Sequence, residues 1–446
     1  MDCHLPKDLF YTLPAVIQDQ WDALCEAHDG HPVSSLRIHP VKKSVDITSC
    51  RPIPWCRTGY YLDEKMSFVA DPLWHAGGYY VQEASSMFLE QVFVQLPFHF
   101  ENRYVLDLCA APGGKSTLVS SLIEDNDLLV SNEVIQSRIP VLNENMIKWG
   151  QMNTWTCQND PAHFSAMEGA FNMLLVDAPC SGSGLFRKKP AYREDWNTDL
   201  VHLSAERQKR ILSASYPALA RHGYLVYMTC SLSQQENEDI VDFLLQHFNL
   251  QSIQLPLPFQ GVLETKSISG GWGYRLMPHQ LEGEGFFLAV FQKSDGKDWN
   301  NPSTGKRSQE WFACLDAFVQ KESLSLEKQG DLMIGIRPEH QAFYSMYQKD
   351  LRWKRRGIAL GKILKNQLIP DHELAMFPGN SFKQRTALDY KDAIAYLRKE
   401  HFSLEANEKA WYLVEYEGVP LGWVKNLGNR HNNYYPSAYR ILKQSF

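Results

Sequence analysis

The feature that most constrains this chain is an alternation of apolar strand-like runs with helical stretches between residues 103 and 293. Tyr104 to Leu108 reads as a buried strand, followed by a glycine-rich turn and a helix over Ser116 to Ile123. Leu128 to Asn132 repeats the pattern with a helix over Ser137 to Trp149, and Met173 to Val176, Leu225 to Thr229 and Phe286 to Phe291 are further strands. Strands at helix-separated intervals predict βαβ units, whose crossovers favour parallel neighbours covered by helices on both faces. The expected fold class is α/β, a mostly parallel, doubly wound sheet, with the direction of the last two strands left open.

Around this core the composition shifts. Residues 1–102 mix short strand-like and helical pieces punctuated by Pro52, Pro54, Gly77 and Gly78, which predicts a small α+β lobe. Residues 294–309, SDGKDWNNPSTGKRSQ, hold almost nothing apolar and read as a linker. They separate an α/β domain over 103–293 from a C-terminal region over 310–446, within the two to four domains that 446 residues allow. No apolar run approaches the roughly 20 residues of a membrane span. The N-terminus lacks a basic and apolar leader, so the expected compartment is the cytoplasm. Nine cysteines without C-x-x-C pairs or Cys/His metal spacing suit reduced thiols, with no metal.

The net charge of −6 conceals a division. Residues 301–446 carry 22 Lys and Arg against 16 Asp and Glu, net +6, which leaves 23 against 35, net −12, for residues 1–300. An acidic body with a basic appendage is one way to hold a polyanion by its end pieces, although +6 also suits plain solubility.

The strand Tyr104 to Leu108 runs into Cys109-Ala110-Ala111-Pro112-Gly113-Gly114-Lys115. Small residues and two glycines after a buried strand let the backbone approach a nucleotide-like ligand closely. Gly114-Lys115-Ser116 ends like a phosphate-binding P-loop, but Cys109 stands where the first glycine of that motif belongs, which disfavours an ATPase. Carboxylates at successive strand ends argue against a mere packing turn. Glu133 closes the second strand about 20 residues after the loop, where an acid accepts ribose hydroxyls, Asp160 would close the third and Asp177 the fourth.

Two cysteines share that edge. Cys180 follows the fourth strand in Asp177-Ala178-Pro179-Cys180-Ser181-Gly182-Ser183-Gly184, and Cys230 follows Leu225 to Thr229. Their turns, rich in glycine and hydroxyls, are expected at helix starts that lower a thiol pKa and free a nucleophile. Cys3, Cys25, Cys50, Cys56, Cys157 and Cys314 are read instead as small apolar packing residues.

Together AAPGGK, DAPCSGSG and TCS followed by Gln234-Gln235-Glu236-Asn237-Glu238 resemble the Nop/Sun family of RNA (cytosine-5)-methyltransferases. The resemblance runs from about Pro32 to Lys293 and includes YVQEASSMF (80–88) and GEGFFLAVFQK (283–293). GWVKNLGNRHNNYYP (422–436) is similar to the C-terminal PUA-like region of bacterial RsmF-type 16S rRNA methyltransferases. The chain departs from the family after Gly184: many members continue Arg-Lys, then Asn or Asp, then Pro, whereas this one reads Arg187-Lys188-Lys189-Pro190.

The resemblance implies a Rossmann-like class I methyltransferase sheet with a small N-terminal lobe and a C-terminal α+β, PUA-like RNA-binding region. It implies S-adenosylmethionine (SAM) as cofactor, cradled by Cys109 to Lys115, with Glu133 on the ribose, Asp160 near the adenine and Asp177 near the methionine end. Cys230 would add to carbon 6 of a flipped-out cytosine, Cys180 would assist loss of the carbon-5 proton and release, and Asp177 and Lys115 would contact base or cofactor. The implied partner is RNA, 16S rRNA or the small ribosomal subunit, engaged by a monomer away from any membrane. A tRNA substrate and a non-catalytic RNA-binding assembly factor are the alternatives.

At the C-terminal end, Arg352-Trp353-Lys354-Arg355-Arg356 is a basic run with an inserted aromatic. Trp423, Lys425, Asn429, Arg430, His431, Asn432, Tyr434 and Tyr435 interleave charge with stacking surfaces. Such residues suit phosphates and unpaired bases; a solvated basic face is the plainer reading.

Overall fold

The computed structural model describes residues 3–43, 45–63, 66–299 and 311–443. Its centre is a ten-stranded sheet. The strands Leu219–Thr229, Phe171–Asp177, Tyr104–Asp107, Leu128–Asn132 and Thr154–Cys157 lie side by side in that order, all parallel. Strand alternation sends Leu106, Val130, Val176 and Tyr227 into one apolar layer and Val105, Leu129, Leu175 and Val226 into the other. Both faces are therefore buried, as parallel sheets require. The first crossover helix is Gly114–Ser120 and the second Ile139–Trp149, close to the expected ranges.

The open directions resolve differently from each other. Leu219–Thr229 continues the parallel set, whereas Phe286–Lys293 runs antiparallel against it, with Ala289 opposite Tyr227. Beyond it, Trp272–Leu276 and Val262–Lys266 complete that side. On the far edge the sheet takes Trp353–Arg355 from the C-terminal region, antiparallel to Thr154–Cys157. That borrowed strand covers an edge that would otherwise present unpaired backbone groups.

The N-terminal lobe consists of three short helices, Leu9–Thr12, Ala15–Gln18 and Trp21–Asp29, and an antiparallel sheet of Arg51–Pro52, Gly59–Leu62, Ser34–Ile38 and Tyr79–Val81. Leu5, Leu9, Leu13 and Ile17 pack on Phe186, Trp196, Leu232 and Met277 of the catalytic body. Here one expectation fails: Cys3 and Cys25 form a disulfide, so the nine cysteines are not all free thiols. Both belong to this apolar cluster, where packing brings together two cysteines 22 residues apart with no spacing motif. The described residues contain no helix long and apolar enough to cross a membrane.

Of the stretch read as a linker, 294–299 is packed on the body. Tyr216 donates to Asp295 at 2.9 Å, Arg221 pairs with Asp298 at 3.1 Å, and Trp299 lies 5.4 Å from the Tyr104 ring. Residues 300–309 lie outside the described residues. The C-terminal region holds an antiparallel sheet over Ser325–Pro370 and a second sheet ordered Arg385–Leu388, Trp411–Tyr416, Val419–Asn426 and His431–Asn433. The helix Tyr390–Arg398 is capped by Asp389, which accepts from the Asp392 amide at 2.7 Å.

Two of the four cations in the run 352–356 are used in holding this arrangement, while Arg352 and Lys354 are exposed. Arg355 is 7% exposed; its guanidinium donates to Glu373 and to the Thr154 carbonyl. Arg356 pairs with Glu327 at 2.5 Å and stacks 3.6 Å over Tyr344. Arg355 thus ties the C-terminal region to the sheet edge, and Arg356 ties two segments of that region to each other.

Candidate active site

The carboxyl ends of the parallel strands and the N-terminal lobe enclose a cleft of about 360 Å³. Asp107 and Asp177 end two neighbouring strands, and Cys109, Ala110, Ala111, Pro112, Gly114 and Lys115 form the turn between strand and helix; all of these line the cleft. Gly113 adopts φ +111°, a conformation suited to glycine, and an added Cβ would stand 3.3 Å from Leu142. The turn is tied down from outside: Ala110 donates to the Asn132 carbonyl at 2.8 Å, Asn145 to Pro112 at 2.8 Å, and the Arg138 guanidinium to Ala111.

Burial pushes the Asp107 carboxyl up to about 7, opposed by the 2.6 Å hydrogen bond from Ser116 and reinforced by the charge of Asp177. Burial also pushes up the Cys109 thiol. Lys115 Nζ donates to Asp177 at 2.7 Å. Burial opposes its charge, but Asp177 overrides that, and the Lys115 pKa stands above the ordinary lysine value.

Cys230 lines the same cleft, and its Sγ lies 3.0 Å from the Sγ of Cys180. The hydrogen bond to Cys230 and then burial push the Cys180 thiol up, opposite to the expected direction. Short 3₁₀ turns, Ser183–Leu185 and Gln234–Glu236, follow the two cysteines where helix starts were expected.

Beneath the thiols, Glu236 joins the two cysteine loops. It accepts from the Ser181 amide at 2.8 Å, the Ser181 hydroxyl at 2.5 Å, the Ser231 hydroxyl at 2.6 Å and Gln208 at 3.1 Å. Burial pushes its pKa up while those donors oppose the shift. A second tie runs through glycine: the Gly184 amide donates to the Cys230 carbonyl at 2.8 Å, and Gly285 to Gly184 at 2.9 Å. A Cβ at Gly184 would fall 2.6 Å from the Cys230 oxygen, so this approach admits only glycine.

The structure thus brings together Lys115, Asp177, Cys180, Cys230 and the loop from Cys109 to Gly114. Glu133 is buried beside it: Oε1 accepts from the Ile135 amide at 2.8 Å, and Oε2, 3.3 Å from Arg138 Nη1, accepts no hydrogen bond among the described residues. Asp160 stands apart. It is exposed, does not line the cleft, and caps the turn Pro161–Ala166 through the Ala162 amide at 2.9 Å. The third strand ends at Cys157, so Asp160 stands on the turn beyond it and does not close it as expected.

Sequence reasoning assigned no role to Glu236, although it stands in the quoted QQENE stretch, nor to Arg138 in the turn Gln136–Arg138 that leads into the second crossover helix. It also missed Tyr80, Gln82, Glu83 and Ser86, which wall the cleft from the lobe. Their signal was the YVQEASSMF stretch, which gave no indication of facing the cofactor loop. In the C-terminal region, Trp423 and Tyr435 are each 1% exposed and belong to the core, whereas Asn429, Arg430, Asn432 and Tyr434 are at the surface.

Comparison with known proteins gives a consistent picture. A model described as 16S rRNA methyltransferase RsmB/F matches residues 96–292, the N-terminal domain of 16S rRNA methyltransferase RsmF matches 5–84, and the methyltransferase RsmF PUA domain matches 383–441. Ribosomal RNA small subunit methyltransferase F of Shewanella piezotolerans is 31% identical over 86% of this chain and 84% of its own length. Its namesake from Vibrio vulnificus is 28% identical over 95% and 94%. A solved methyltransferase homolog protein from Pyrococcus horikoshii, 25% identical, superposes with a TM-score of 0.53 over 64% of this chain and 93% of that one. The chain belongs to the 16S rRNA methyltransferase RsmB/F family and carries both flanking domains of its RsmF members.

Proposed function

We propose that this chain methylates carbon 5 of a cytosine in 16S rRNA, using SAM, through a covalent adduct with Cys230 that is resolved with the help of Cys180. The observation that carries the reading is the pair of thiols 3.0 Å apart at the cleft that the glycine-containing loop also lines. The relatives' name supplies the rRNA substrate.

The residues fit the cofactor. The loop from Cys109 to Lys115 leaves room for close backbone approach, and Glu133 keeps a buried oxygen without a hydrogen-bond donor, an arrangement suited to a ribose hydroxyl. In this reading Cys109 to Lys115, Glu133 and Asp177 hold SAM, with Asp160 at the adenine side. Bound there, SAM supplies an electrophilic methyl group.

Carbon 5 of cytosine is a weak nucleophile. Addition of the Cys230 sulfur to carbon 6 would move ring electrons onto carbon 5 and make it nucleophilic toward the methyl group that the bound cofactor would supply, that methyl leaving its sulfonium sulfur. Loss of the carbon-5 proton and cleavage of the sulfur–carbon 6 bond restore the aromatic ring, and Cys180 is the group within reach to assist. Asp177 and Lys115, paired at 2.7 Å, present an acceptor and a donor to the base edge. The base must leave its stack to enter. The region 310–446 would hold the RNA of which that base is part, with the chain acting as a monomer in the cytoplasm.

Bisulfite sequencing of total RNA from a deletion strain and its parent tests the substrate: one lost 16S signal is expected, and a signal lost from tRNA instead overturns the assignment. Cys230→Ala is expected to lower methylation at least about a thousandfold. Cys180→Ala should accumulate a protein–RNA adduct in denaturing gels. Turnover at the wild-type rate by Cys230→Ala, or active turnover without adduct by Cys180→Ala, sinks the mechanism.

A further inference from the structure

The cleft that holds Cys230 belongs to a body of net charge −12, yet its ligand in the proposed reading is a polyanion. A phosphate at its mouth must be met by a local cation. Three cations line the cleft: Lys115, Arg138 and Lys189. Two are already engaged. Lys115 is paired with Asp177 at 2.7 Å, and Arg138 stands 3.3 Å from Glu133 while donating to the Ala111 carbonyl. Lys189 is exposed, and among the described residues no ion pair ties it to a carboxylate.

Its position is built. The Lys189 amide donates to the Leu185 carbonyl at 2.8 Å and the Tyr192 amide to the Lys189 carbonyl at 3.0 Å, closing residues 185–192 into one compact turn. Lys189 Nζ donates to the Tyr192 hydroxyl at 3.1 Å and lies 4.9 Å from the centre of its ring. That ring rests on the Cys180 loop: at Gly182, φ +76°, a Cβ would touch it at 3.4 Å. The ammonium is therefore referenced, through Tyr192, to the loop that carries Cys180, while Leu185 from the same turn lines the cleft with it. A side chain that only solvated the surface would have no need of this bracing.

We propose that Lys189, braced by Tyr192, is the RNA-binding residue at the cleft mouth, where its ammonium takes a backbone phosphate of the strand that delivers the target base. The inference rests on the RNA-methyltransferase reading and adds to it the residue that seats the substrate.

The test measures methyl transfer to 16S rRNA, naked and in the small ribosomal subunit, across a salt series, with RNA binding measured in parallel. Lys189→Ala should raise KM for RNA about tenfold with kcat within twofold, and should make the plot of log affinity against log salt shallower by about 0.7 to 0.9, the contribution of one phosphate. Lys189→Arg should restore most of the affinity. Tyr192→Phe, which keeps the ring, should fall between wild type and Tyr192→Ala. Lys188→Ala, exposed but outside the cleft, should change KM no more than twofold. Wild-type KM and salt slope in Lys189→Ala, a loss confined to kcat, or an equal effect of Lys188→Ala overturns the proposal. If the methylated product is not 5-methylcytosine, the cytosine reading fails, while the salt slope of RNA binding still reports on Lys189.

Discussion

The strand-end cleft and the basic, aromatic C-terminal region were both picked out from sequence as ligand-facing, and the fold treats them in opposite ways. In the cleft, Lys115, Asp177 and Cys230 converge, with Cys180 against Cys230 and Glu236 clamped beneath the cysteine loops. In the C-terminal region, Arg355, Arg356, Trp423 and Tyr435 turn inward and hold the molecule together. The difference lies in what kind of signal each was. A residue just past the end of a parallel strand has its backbone direction fixed by the sheet, so its position follows from topology. A run of cations and aromatics carries no such constraint, and burial with an acid partner elsewhere in the chain is as available to it as exposure.

Removing an inward-turned aromatic gives the largest effect on stability. Trp423 packs against Phe318 and Phe382 at 5.6 and 5.3 Å, and its indole nitrogen donates to the Asp371 carbonyl at 2.8 Å. Trp423→Ala is expected to destabilise the C-terminal region by about 3–5 kcal/mol. Denaturant unfolding checks this. A variant of wild-type stability that bound RNA poorly would instead place Trp423 at the RNA-binding surface.

The next effect, up to about 4 kcal/mol between its pH extremes, belongs to the cleft. Asp107 has its carboxyl raised to about 7 by burial, so the folded chain holds a proton there that the unfolded chain releases near 3.8. Its contribution is fully present below the unfolded value and is lost as pH rises through 7. Asp107→Asn, which keeps the size and cannot titrate, should flatten the dependence of stability on pH between about 4 and 7 relative to the wild type. An unchanged difference between the two curves across that window would show that the carboxyl is ionised throughout.

How far sequence reached follows the same division. The parallel strands and their loop were legible because period, glycines and strand-end carboxylates all pointed to one geometry. Asp160 stands on the turn beyond the third strand and does not close it, because that strand stops at Cys157, a boundary that propensity does not locate. The Cys3–Cys25 disulfide was invisible because its two halves are brought together by the apolar packing of the N-terminal helices, not by spacing. The edge strand Trp353–Arg355 was hidden for a related reason: its partner Thr154–Cys157 lies about 200 residues earlier, and long-range pairing leaves no local pattern. Glu236 was in plain view, but only the folded chain shows that four donors from three segments converge on it.

The smallest effect on stability is expected at the C-terminal surface, where exposed cations can face RNA. Arg430 is exposed between Asn429 and His431, in the loop leading into the last strand of the C-terminal sheet, and its backbone carbonyl accepts from Leu427 at 2.9 Å. Its side chain supports nothing in the core, so Arg430→Ala should change stability by no more than about 0.5 kcal/mol. If this surface touches phosphate, the substitution should weaken RNA binding severalfold and reduce its salt dependence, as one lost contact does. The Trp423→Ala and Arg430→Ala pair then separates the two uses of a basic, aromatic segment, stability moving with the first and salt-dependent affinity with the second. Equal and unchanged RNA affinity in Arg430→Ala would leave the cleft mouth, with Lys189, as the place where the chain meets its substrate.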